Sequence, residues 1–133
     1  MYGTLDISTS GMIAQRTRMS VIASNIANAR SIQNSKGEYE PYLRRAAMLA
    51  PSGDSSNPQG VQIVDINVDP SAVRPEHRPG HPNADADGNI MVPDIDPTTE
   101  WVNGLEASRA YEANVVAAEA TKTMMAQALR LLA

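Results

Sequence analysis

The residues best equipped for chemistry lie between Pro75 and Gly88, in the run PEHRPGHPNADADG. His77 and His81 stand four apart, the spacing that puts two imidazoles on one helix face to hold a metal ion. Pro79, Gly80 and Pro82 forbid that helix, because proline lacks an N–H and its ring clashes with the preceding turn. Both histidines therefore read as loop residues. Asn83, Asp85, Asp87, Gly88, Ile90 and Asp94 occupy positions 1, 3, 5, 6, 8 and 12 of a twelve-residue calcium loop. Alternating oxygen donors around a glycine suit a hard cation. Against it, position 12 is the short Asp94, position 9 is Met91, and Pro82 and Pro93 stand where the flanking helices should be. An Asp-Gly turn into a strand accounts for the same residues without an ion. A small calcium-binding module using residues 83–94 is the alternative reading.

Other chemistry has less support. The serines sit at caps and loops, and neither histidine has a spacing that identifies a catalytic triad. Asp94 and Asp96 alternate on an exposed segment and read as solvated. With no cysteine among its 133 residues, the chain has no disulfide, no thiolate zinc site and no cysteine nucleophile. No glycine-rich phosphate loop is visible. Nothing demands an active site, and the expectation is a protein that is not an enzyme and needs no cofactor. The net charge of −4 argues against a nucleic-acid partner. No segment reaches the roughly 20 apolar residues of a membrane span.

The elements that position these residues divide the chain in three. Residues 1–34 read as a helix: from Asp6 to Ala29 there is no proline and one glycine, Gly11, and Ser8, Thr9 and Ser10 offer N-cap oxygens. Met12, Met19, Ile22, Ile26 and Ala29 fall on a three-four spacing, with Gln15 interrupting the stripe. Residues 98–133 read as a longer helix, started by Asp96-Pro97-Thr98-Thr99-Glu100. Its face is Ala107, Ala110, Tyr111, Asn114, Ala117, Ala118, Thr121, Met124, Met125, Ala128, Leu131 and Leu132. Most of these are small, so a partner helix can approach closely. Asn114 on that face is expected to fix register by a hydrogen bond between helices.

Residues 35–97 hold all nine prolines and read as a β-rich insertion. Tyr39 to Ala50 is β-compatible, and Pro51 to Gly60 is a turn-rich connection. Val64, Ile66 and Val68 alternate with polar residues, as in a half-buried strand. Val61 and Ile63 are in the opposite phase, which predicts a bulge near Ile63–Val64. Asn89 to Val92 is a short strand after an Asp-Gly turn. The insertion carries ten acidic against five basic residues, so the acidic excess sits in the middle. The fold class expected is mainly α with a small β insertion. The two long terminal helices pair as an antiparallel, coiled-coil-like bundle around a central β-rich domain. With no Phe and one Trp, a thick core is hard to build. Burial must be completed by neighbours, with Met12, Met19, Met124 and Met125 filling irregular gaps across a subunit boundary.

The segment Gln15-x-x-Arg18-Met19-x-Val21-x-Ala23-Ser24-Asn25-Ile26-Ala27-Asn28-Ala29 resembles the N-terminal helix of bacterial flagellar axial proteins. Ser108 to Asn114, followed by Lys122, Met124 and Met125, is similar to their C-terminal helix. Pro79 to Gly88 with Met91-Val92-Pro93 resembles the segment that marks the FlgC family of proximal-rod proteins. The likeness runs nearly the whole chain. Departures fall in the insertion: Met48 and Leu49 stand where a phenylalanine is usual, Asn89 replaces an aromatic, and Asp94 follows Pro93 in place of Asn.

The resemblance implies a structural subunit of the flagellar rod, exported uncleaved through the flagellar type III apparatus into a helical tube across the periplasm. The tube serves as drive shaft and export channel. Its partners would be copies of itself, the rod proteins FlgB, FlgF and FlgG, and the rod–membrane-ring adaptor FliE. Subunit packing is expected at Met12, Gln15, Met19, Ile22, Asn25, Ile26 and Asn28 of the first helix, and at Ala107, Ala110, Tyr111, Asn114, Ala117, Ala118, Thr121, Met124, Met125, Ala128 and Leu132 of the second.

Overall fold

The computed structural model describes residues 2–54 and 57–133. Two long helices, α1 (Tyr2–Ala27) and α2 (Pro97–Leu132), bracket four strands: β1 (Arg45–Asp54), β2 (Asn57–Val68), β3 (Val73–His77) and β4 (Asn89–Pro93). The architecture is two long helices with a small antiparallel β component.

α1 begins before the expected serine cap. Ser8 is buried inside the helix, and the Ser10 hydroxyl donates to the Ile7 carbonyl while accepting from the Val61 N–H of β2. α2 starts where expected. The Asp96 carboxylate accepts from the Thr98 N–H and the Thr99 hydroxyl, and Pro97 occupies the first turn, where its missing N–H costs nothing.

The helices run side by side in opposite directions. Arg18 meets Glu106 at 3.3 Å, Asn25 meets Glu100 at 3.1 Å, and Gly11 lies against Asn114. On α2, Glu100, Gly104, Ala107, Tyr111, Asn114, Ala118, Thr121, Met125 and Ala128 are buried or half-buried, at alternating steps of four and three. On α1 the buried positions are Ser8, Gly11, Ala14, Val21, Ile22 and Asn25. This seam is turned from the stripe expected of the large apolar residues: Met12, Met19 and Ile26 flank it, half-buried. Small residues occupy its centre because backbones can approach there. A Cβ at Gly11 would come within 2.7–2.9 Å of the Asn114 amide.

β1 and β2 form an antiparallel hairpin against α1. Met48 faces Asp65 but Leu49 faces Ile63, so Val64 is the extra residue of a bulge, where the two phases of alternation meet. The expected turn-rich connection is largely strand, since β1 reaches Asp54 and β2 resumes at Asn57; Ser55 and Ser56 lie outside the described residues. Val64, Ile66 and Val68 were expected half-buried but are 41–56% exposed, because nothing among the described residues covers that side. β3 was not expected, as Pro75 and Pro79 suggested a loop. Pro75 sits opposite Met91 in the β3–β4 pair. That pair, with buried Ile90, Val92, Ile95 and Ala72, meets the segment after α1 through Tyr39, whose hydroxyl donates to the Met91 carbonyl and accepts from the Met91 N–H.

Candidate functional site

Three segments converge where α1 ends, α2 begins and β1 starts. Asn25, in the last full turn of α1, is completely buried. Its amide Nδ2 donates to the Arg45 carbonyl at 2.8 Å and to Glu100 Oε2 at 3.1 Å. Its Oδ1 accepts from the Arg45 N–H at 3.0 Å and from the Tyr42 hydroxyl at 3.2 Å. An amide side chain has two donors and two acceptor sites, so all four are filled.

Glu100 is 1% exposed. Its other carboxylate oxygen takes the Arg44 Nε–H at 2.6 Å. A buried carboxylate is tolerated only when paired and hydrogen-bonded, and the first turn of α2 adds the favourable end of the helix dipole. The Arg45 guanidinium lies 5.5 Å above the centre of the Tyr42 ring, closing the cluster on its outer side. The cluster leaves the Asn25 amide and both Glu100 carboxylate oxygens engaged. It ties the root of the insertion to both helices at one point.

The expected packing residues are distributed over several surroundings. Asn25 and Ile22 are buried within the chain, and so are Ala107 and Thr121 on α2. Met12, Gln15, Met19, Ile26, Asn28, Ala110, Tyr111, Asn114, Ala118, Met125 and Ala128 are half-buried; Ala117, Met124 and Leu132 are exposed. Asn114 Nδ2 donates to the Ala110 carbonyl of its own helix, so within the chain it influences register by shape, not by the cross-helix hydrogen bond expected of it. Gln15 Oε1 is buried without a partner among the described residues. Sequence reasoning missed Glu100, Tyr42 and Arg45 as partners of Asn25, and Arg44 as the partner of Glu100. The signal available was an acid in the first turn of α2 and an arginine pair opening a strand.

A second feature is apolar. Met19, Ala23, Ile26 and Ala27 of α1 and Trp101, Gly104 and Leu105 of α2 line an open groove between the helices. Trp101 is 62% exposed, and Val116 and Leu129 are similarly bare further along α2. Contiguous apolar surface of this kind is what interaction sites on small proteins present.

The two histidines do not form a centre. His77 ends β3, not a loop as expected, and its Nδ1 lies 3.3 Å from Asn89 Oδ1, while His81 Nδ1 accepts from the Asn83 N–H in a separate turn. In the 83–94 segment, Asp85 Oδ1 accepts from the N–H groups of Asp87 and Asn89, and β4 follows directly. Among the described residues no three histidine or carboxylate side chains converge to hold a metal ion, and no helix is long and apolar enough to cross a membrane.

Comparison with known proteins gives a consistent answer. A family profile described as "Flagella basal body rod protein" matches residues 5–29. The chain is 38% identical over 132 residues to the flagellar basal-body rod protein FlgC of Yersinia enterocolitica, covering 98% of this chain and 97% of that one. It is 36% identical to the FlgC of Salmonella typhimurium and 34% identical to that of Bacillus subtilis, each with the same coverage of both chains.

Proposed function

The chain belongs to the FlgC family of flagellar basal-body rod proteins and is a structural subunit, not an enzyme; from that premise we propose that its two helices are the assembling part and its insertion the outer brace. The observation that carries this reading is the apolar surface left bare along α2, from Trp101 and Leu105 to Leu131 and Leu132. The helix pair has buried its seam and still presents a second apolar side. A neighbour that covers it in a head-to-tail fashion generates an open helical assembly.

Met12, Met19, Ile26, Ala117, Met124 and Leu132 are among the expected packing residues with surface still to give. The exposed side of β2, with Val64, Ile66 and Val68, adds a second contact on the insertion. In this reading the chain leaves the cell uncleaved through the type III apparatus and joins the proximal rod in the periplasm. FlgB, FlgF, FlgG and the adaptor FliE are its neighbours there.

The test is removal of the gene followed by imaging of basal bodies. Basal bodies that stop at the membrane ring in non-motile cells, restored by the native gene, are the expected result. Complete rods and normal swimming in the deletion strain overturn it.

A further inference from the structure

The cleft between the end of α1 and the β3–β4 pair gathers three guanidinium groups against one carboxylate. Arg30 follows α1, and Arg74, Glu76 and Arg78 alternate along β3, so the last three point to the same side. The Arg78 N–H donates to the Gly88 carbonyl, which extends the ladder far enough to hold that residue in line. Glu76 is engaged by Arg78 at 2.7 Å. Arg30 and Arg74 have no side-chain hydrogen bond or ion pair among the described residues. Val92 and Pro93 form an apolar wall of the cleft. In a chain of net charge −4, this is a local excess of positive charge with no internal anion to balance it.

We propose that this cleft receives the Asp87 loop of a neighbouring copy of the same chain, an assignment that rests on the rod-subunit reading. Guanidinium groups bind carboxylates through paired N–H donors, and such contacts set which surfaces meet and in what register. Copies that each carry excess negative charge on the insertion repel one another unless an acidic part of one meets a basic part of the next.

Most carboxylates of the insertion are already in use. Asp69 holds Ser71, Asp96 caps α2, Asp65 takes the Ile66 N–H, and Glu38 and Glu40 both accept from Asn34. Asp85 holds the turn that carries Asp87. Asp87 and Asp94 are the described carboxylates of the insertion with no partner. Asp94 lies between buried Pro93 and Ile95 at the foot of α2. Asp87 stands exposed at the tip of the β3–β4 turn, next to Gly88 at φ 77°. Both are exposed, and Asp87 is the one carried on a turn between strands rather than flanked by buried residues.

The experiment uses the full chain in a strain lacking its own copy, where rescue of rods by the native gene holds the rod reading fixed. The variants are Arg30→Glu with Arg74→Glu, Asp87→Arg alone, and all three together, with thermal unfolding of each purified chain followed by circular dichroism. Like charges placed face to face should cut the yield of complete rods about tenfold or more in the first two strains, and the triple variant should restore most of it. Native yield from Arg30→Glu/Arg74→Glu overturns the proposal. Loss with that pair but not with Asp87→Arg places a different partner in the cleft and overturns the assignment to a second copy. Failure of the triple variant to restore rods, with unfolding unchanged, does the same. Should reversal disturb folding, Arg30→Gln/Arg74→Gln takes its place, and undiminished rods from it overturn the proposal.

Discussion

At the scale of single residues, the Asn25–Glu100–Arg44 cluster sets an asymmetric test. Replacing Arg44 by Leu leaves the Glu100 carboxylate buried with only the Asn25 amide, a change expected to cost about 3 kcal/mol in denaturant unfolding. Glu100→Gln keeps a neutral hydrogen-bonding group in the same place and should cost about 1 kcal/mol. An equal loss from the two would mean that the buried charge is not what Arg44 answers. Gly60 is the second test. Its φ of 110° suits glycine alone, and an added Cβ would collide with the Ser10 hydroxyl. Gly60→Ala should therefore destabilise by about 1–3 kcal/mol, through backbone strain and loss of the Ser10–Val61 contact. Asn25 was legible in the sequence as a residue that matters, but not as a four-way connector. Its partners lie 17, 20 and 75 residues away, and no local spacing announces them.

Among the elements, α2 could be read almost to the residue, because its start is encoded locally by Asp96, Pro97 and Thr99. The same cap makes a pH prediction. The hydroxyl of Thr99 and the N–H of Thr98 hold the Asp96 carboxyl below its ordinary value of 3.8, and Ser71 does the same for Asp69 by its hydroxyl and its N–H. A lowered native value means that this stability is fully present above pH 3.8 and is lost as the pH falls through the lower native value. Asp96→Asn, which does not titrate, should flatten the acid limb of stability against pH below that point. An unchanged limb would remove Asp96 from the account. β3 was not legible because its prolines carry the signature of a loop, and only pairing with β4 makes an edge strand of them. The α1 seam was misplaced for a related reason. Periodicity counted large apolar side chains, whereas Gly11 and Ala14 occupy the tight centre and the methionines flank it.

For the molecule as a whole, the balance of buried and bare apolar surface predicts which substitutions separate folding from assembly. Leu105 and Leu129 are 59% and 67% exposed, so Leu105→Asp and Leu129→Asp should leave thermal unfolding of the free chain nearly unchanged. In cells the same changes should block complete rods, since they bring an unpaired charge into an apolar contact. Motile cells with normal rods would mean that this side of α2 stays in solvent. A change in the seam, such as Thr121→Asp, should lower the stability of the free chain itself.

The unequal lengths of the helices bear on load. α2 has 36 residues and α1 has 26, and with Asn25 opposite Glu100 the longer helix runs about two and a half turns past Tyr2. In the proposed assembly a neighbour that covers Leu129 and Leu132 would reach beyond the Tyr2 end of α1, and the breaks between consecutive copies would fall at different heights. Masons and carpenters avoid a butt joint, where every seam shares one plane, because shear opens it. A lap joint has no such plane. A shaft built from staggered pairs would hand twist from copy to copy across overlapping side walls rather than through end faces.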